Sequence, residues 1–127
     1  GDRLVWISIV MAEACARTSL ADRAVTEIAR VLDADWDWDA DEYSPGRALK
    51  SIGEVLRVTG NLREAATVTA LASRLLDNHP FLKGTCEDLL ALIAADMDAE
   101  DLAAAREAAA SLQPSAAIAL ARETLDL

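Results

Sequence analysis

Two pairs of small residues constrain this chain more than any other feature. Ala12 and Ala24 stand 12 positions apart across the polar break Thr18-Ser19, and Gly53 and Ala65 stand 12 positions apart across Gly60-Asn61. Each pair lies within apolar segments of helical period, with Val5, Ile9, Ala12 and Ala16 before the first break and Leu20, Ala24, Ile28 and Val31 after it. A small residue on each of two facing helices lets the axes approach to the short end of the usual range of about 8–10 Å. The expected unit is therefore an antiparallel helix hairpin, used at least twice with the same helix-to-helix phase.

What fills the core points the same way. Hydrophobic residues make up 53% of the chain but aromatic residues only 4%, so the interior must be built from Ala, Leu, Val and Ile. Ala and Leu favour helix and add little to strand packing. The fold class expected is all-α, with about seven helices in one domain spanning 1–127. The chain opens Gly1-Asp2-Arg3 without an initiator Met, so a domain excised from a longer protein is expected, with Gly1 foreign to it.

Punctuation marks the helices. Ser19 is placed to cap the second helix, with Asp22 in the acidic third position that a helix N-terminus favours. Ser44-Pro45 reads as N-cap and first helical residue of the third, and Gly60 ends that helix. Asn61 and Glu64 have capping-box spacing at the start of the fourth. A break at Asp77-Asn78-His79-Pro80, with a further start signal at Gly84-Thr85, introduces the fifth; the sixth runs from about Asp98 to Leu112 and the last follows Pro114. The pairs expected are 3–33, 45–77 and 80–112, with a final helix over 114–127 and an acidic insertion over 33–43.

The second pair, Leu49-x2-Ile52-Gly53-x2-Leu56, then Gly60-Asn61, then Ala65-x3-Thr69 and Ala72, resembles the tetratricopeptide (TPR) repeat. Gly53 and Ala65 stand at the family's small positions and Gly60 at its turn, while Leu49 and Leu56 replace aromatics and Thr69 replaces Phe. The resemblance implies a short α-solenoid of stacked hairpins, specific over about 46–76. The offset between Ala24 and Ala65 is 41 positions, longer than the period of about 34 expected of this repeat, and the surplus falls in the insertion. The Ala- and Arg-rich helical pairs ending in Ser115-Ala-Ala-Ile-Ala-Leu-Ala-Arg-Glu-Thr-Leu125 also look like the C-terminal helical arrays of large ATPase-containing bacterial transcription regulators of the LuxR type. The expectation that follows is a cytoplasmic, non-catalytic protein-interaction or sensing module.

Charge narrows the partners. With 22 acidic and 12 basic residues the net charge is −10, which repels a nucleic acid backbone, so no direct nucleic acid binding is expected. No uninterrupted apolar run reaches membrane-spanning length, because Glu13 and Arg17 break the richest one. Cys15 and Cys86 each sit in an apolar helical pattern and are expected as reduced core thiols. The oligomeric state is left open, a dimer through an exposed apolar end of the stack being one outcome.

The insertion Asp33-Ala-Asp-Trp-Asp-Trp-Asp-Ala-Asp-Glu-Tyr43 alternates Asp like a calcium loop, but Trp38 and Ser44 occupy the positions where an EF-hand needs Gly and Glu. No metal or cofactor is expected. Trp36 and Trp38 are expected either to fold back as a lid on the first pair or to anchor a partner. His79 lies in a turn with no cysteine ligand nearby, and no Ser, His and acid constellation or phosphate-binding glycine loop is present, so no enzyme is expected.

The positive signal is Arg47, Lys50, Glu54 and Arg57, at helical spacing on the first helix of the second pair. The TPR resemblance places them on the concave groove that grips a partner peptide; the alternative is a solvated helix face with local ion pairs such as Lys50 with Glu54. A second function class remains, an acidic inhibitor of the immunity-protein or antitoxin kind. It would block a basic partner through Asp35, Asp37, Asp39 and Asp41 together with the Trp pair.

Overall fold

The computed structural model describes residues 2–127, with side chains from Arg3 onward; Gly1 lies outside the described residues. Among them are seven α-helices and no strand: α1 (Asp2–Arg17), α2 (Ala21–Leu32), α3 (Tyr43–Val58), α4 (Leu62–Leu75), α5 (Pro80–Ala94), α6 (Ala99–Ser111) and α7 (Pro114–Leu125). None is long and apolar enough to cross a membrane.

The two hairpins close in the same way. Beyond α1, Ser19 takes a left-handed φ of 63° and the Leu20 N–H reaches the Cys15 carbonyl at 2.9 Å. Beyond α3, Gly60 takes a φ of 84° and the Asn61 N–H reaches the Leu56 carbonyl at 2.9 Å. Both are Schellman-type ends, and corresponding residues (19 and 60, 20 and 61, 15 and 56) are 41 positions apart, the offset seen in the sequence. Ser19 is therefore no N-cap. It is consumed by the left-handed turn, Leu20 takes the cap position without a side-chain bond, and Leu20, expected inside, is 50% exposed.

Other caps also depart from expectation. Helix α3 begins at Tyr43, ahead of Ser44-Pro45, because the Asp41 carboxylate accepts the Tyr43 N–H at 3.0 Å and starts the turn early. Asn61 holds the N-cap position of α4, but its amide donates to the Thr59 hydroxyl at 2.9 Å and no capping box with Glu64 forms. Helix α5 begins at Pro80, so Gly84-Thr85 lies within it, and the Thr85 hydroxyl bonds back to the Leu82 carbonyl.

Helices α1 to α5 pack as a stack of successive neighbours: α1 on α2, α3 on both, α4 on α3, and α5 on α3 and α4. Helix α3 is its centre, buried without a break from Pro45 to Leu56 except at Arg47. A Cβ at Gly53 would lie 2.1 Å from Thr69 Oγ1 and 3.6 Å from the Ala65 carbonyl oxygen, so the close approach of α3 and α4 at these residues is real.

The third pair does not follow the frame. Helix α6 packs chiefly on α4, and α7 returns to α3, α4 and α2. In a solenoid each unit touches only its neighbours. Here Arg122 of α7 donates to the Leu32 carbonyl at 2.6 Å and the Asp33 carboxylate at 2.7 Å, tying the end of the chain to the end of α2. The stack is closed across its back by α6 and α7.

Candidate functional site

The first helices of the stack, α1, α3 and α5, border a cleft of about 280 Å³ lined by Arg17, Lys50, Glu54, Thr85, Asp88, Leu89 and Leu92. Its floor is a network of charges. Lys50 is 5% exposed and Glu54 and Glu13 are 9% exposed. Lys50 Nζ donates to Glu54 Oε1 at 3.1 Å and lies 3.8 Å from Glu13 Oε1, which also accepts the buried Ser51 hydroxyl. Arg17, on the rim, donates to Glu54 Oε1 at 3.1 Å and lies 3.8 Å from Glu13 Oε2. Two cations and two carboxylates thus neutralise one another, and the Glu54 charge holds the Arg17 guanidinium above its ordinary range.

Burying charges is tolerated only when they are paired and hydrogen-bonded. The hydrogen bonding is incomplete at one atom: Glu54 Oε2 is buried with no hydrogen-bond partner among the described residues. On the opposite wall, α5 carries Thr85, Asp88 and Leu92 in one stripe that Phe81 continues at helical spacing; Leu92 is 54% exposed and Phe81 82%. The cleft can therefore offer a segment of another chain a floor of paired charges, one carboxylate at Asp88 with no basic partner among the described residues, and apolar surface.

Of the four residues singled out on α3, Lys50 and Glu54 come together in this floor as the local ion pair the alternative reading expected, buried inside the protein instead of on a solvated face. Arg47 is half-buried and weakly opposes the burial that raises the Cys86 thiol on α5, and the two buried cysteines are free. Arg57 is half-buried and lines a different cleft with Ser19, Leu62 and Asp96, its Nε without a partner among the described residues.

Glu13 and Arg17 appear in the sequence only as interruptions of an apolar run. A signal for Glu13 was present, since Glu13 and Glu54 are related by the same 41-position offset as the two turns.

The acidic insertion is docked. Trp38 is 8% exposed and part of the core, so its ring serves as an internal anchor and presents no face to a partner. Trp36 is half-buried, 5.3 Å from Trp38 and 5.7 Å from Trp6 between ring centroids. The aromatic series continues from Trp6 to Tyr43 at 6.3 Å and from Tyr43 to His79 at 5.0 Å, crossing the N-terminal ends of α1, α3 and α5. Asp39 reaches across to α7, where its carboxylate accepts the Ser115 N–H at 3.0 Å and the Ser115 hydroxyl at 2.8 Å. That caps a helix whose own N-cap residue, Gln113, makes no side-chain bond. No family model, curated protein or solved structure matches this chain.

Proposed function

We propose that this domain is a non-catalytic protein-interaction or sensing module of a larger bacterial protein, and that the cleft between α1, α3 and α5 receives a segment of its partner. The observation that carries this reading is the juxtaposition in one cleft of a floor of buried, paired charges with the exposed side chains of Asp88 and Leu92. Helical hairpins that stack their first helices side by side suit this role, because they present several side chains to one extended segment. The resemblance of the Ala- and Arg-rich helical pairs to the arrays of LuxR-type regulators supports the reading of a module within a cytoplasmic transcription regulator.

The acidic-inhibitor reading keeps one supporting observation: Asp35, Asp37 and Asp41 are exposed and, among the described residues, free of ion pairs. Affinity capture from host lysate with the wild-type domain, an Asp88→Lys/Leu92→Asp variant and an Asp35/Asp37/Asp41→Asn variant separates the two. The interaction-module reading expects the same partner to be lost with the first variant alone. Loss with the second alone would transfer the function to the acidic segment.

A further inference from the structure

We propose that the cleft at the N-terminal end of α1 and α3, walled by Trp6 and Trp36, is a binding site for an organic cation, an ammonium or guanidinium group carried on carbon. The cleft has a volume of about 320 Å³ and is lined by Trp6, Trp36, Asp35, Asp37 and Asp41. It is separate from the groove between α1, α3 and α5, so either assignment can fail without the other.

Its walls have the geometry the chemistry needs. The two indole rings are tilted by 49° at a centroid separation of 5.7 Å, so they form a corner instead of a closed stack. An indole face attracts a cation through its quadrupole, and the attraction grows as the site is desolvated. Both rings are held from behind: Trp36 lies against the buried Trp38, and Trp6 lies against Tyr43, itself in contact with His79. A site organised before the ligand arrives loses less on ordering.

Its charge is unbalanced. Among the described residues that line the cleft there are three carboxylates and no Lys or Arg. Asp33 of the same segment is paired with Arg122. Asp35, Asp37 and Asp41 have no basic group within ion-pair distance among the described residues. Two of them are oriented by the backbone, Asp37 by the Asp39 N–H at 3.2 Å and Asp41 by the Tyr43 N–H at 3.0 Å.

Size selects the class of cation. Among the described residues no three acidic, His or Cys side chains converge closely enough to hold a metal ion. The carboxylates surround a volume suited to a larger, weakly hydrated ion that keeps carbon against the rings. A small quaternary ammonium compound and a lysine or arginine side chain of another protein share this chemistry.

Of the three Trp residues, Trp6 and Trp36 line the cleft and Trp38 packs behind Trp36, so intrinsic fluorescence responds to occupation of the cleft. The test is to titrate the domain with choline, n-butylammonium and n-butylguanidinium, and with 3,3-dimethyl-1-butanol as a neutral isostere of choline. The expected result is a saturable change with at least one cation in the millimolar range and none with the alcohol. Affinity should fall about tenfold in Trp36→Leu and at least as far in Asp35/Asp37/Asp41→Asn, whose isosteric changes leave the helical circular dichroism intact. Preference for choline assigns a small-molecule ligand, and preference for an alkyl ammonium or guanidinium assigns a protein side chain. If Trp36→Leu loses its fold, the Asn variant alone carries the test. An equal response to the alcohol, no saturation with any cation, or unchanged affinity in the Asn variant would overturn the assignment.

Discussion

Gly53→Ala is the most direct probe of how these helices pack. In an exposed helix interior the change should stabilise by about 1 kcal/mol, because Ala loses less backbone freedom than Gly. Here the new Cβ would lie 2.1 Å from Thr69 Oγ1 and 3.4 Å from Thr69 Cβ. Carbon and oxygen atoms in contact sit near 3.5 Å, and inserting a methyl group into a packed core costs about 1–3 kcal/mol. Thr69 is fully buried, and its Cβ stays 3.4 Å from the new methyl whichever of its two helical rotamers the hydroxyl takes. The clash therefore outweighs the propensity gain, and a net loss of about 1–2 kcal/mol is expected. Thr69→Ala removes the obstructing oxygen, which in the wild type is buried without a hydrogen-bond partner among the described residues. The Gly53→Ala/Thr69→Ala double variant should then recover most of the loss, with a coupling of at least about 1 kcal/mol between the two sites. Urea unfolding of the four proteins, followed by circular dichroism, gives the cycle. A Gly53→Ala variant more stable than wild type by about the propensity gain would refute the close approach of α3 and α4, as would additivity of the two changes.

The two hairpin turns predict opposite responses: Ser19→Gly should raise stability by about 0.5–1 kcal/mol and Gly60→Ser should lower it by about 1 kcal/mol in the same unfolding assay, since both positions are left-handed and only one holds glycine. Lys50→Met leaves Glu13 and Glu54 buried with one cation between them and should cost about 3–5 kcal/mol, against about 1 kcal/mol or less for the exposed Arg17→Gln. Adding Glu54→Gln to Lys50→Met should restore part of that loss. Burial pushes the Cys86 thiol up to about 11, partly opposed by Lys50. Its folded-state pKa is thus above the unfolded value, so the stability it contributes is complete below pH of about 9 and is lost as pH rises through about 11. Alkylation of native Cys86 at pH of about 8 should accordingly be far slower than in urea; equal rates would contradict its burial.

How much of this was legible depended on the range of the interaction. Local signals were readable: Pro80 and Pro114 each begin a helix, Gly60 ends one, and Gly53 and Ala65 lie where α3 and α4 touch. Ser19 and Ser44 misled because a hydroxyl that can cap a helix can equally sit past the end of the preceding one or inside the first turn, and tertiary packing decides. The return of α7 was invisible for a different reason. It rests on Asp39 with Ser115 and Arg122 with Asp33, contacts between residues with no shared period, while α7 buries only Pro114, Ala117, Ile118 and Ala121. Lys50 and Glu54 were found by helical spacing, which gives a side chain's direction but not how deep it lies. Glu13 alone could have corrected that, because a carboxylate between buried Ala12 and Ala16 must meet a cation.

The proposed role of the cleft is tested most directly by placing a photo-crosslinking side chain at Asp88, on its rim, and in a second protein at Asp37, in the acidic segment. Both positions are exposed, so the substitutions leave the fold unchanged. Irradiation in host lysate followed by mass spectrometry is expected to attach one partner protein at position 88, with competition by unlabelled wild-type domain, and to leave position 37 free of that partner. Crosslinking of the partner at position 37 and not at 88 would contradict the assignment and make the acidic segment the working surface of the domain.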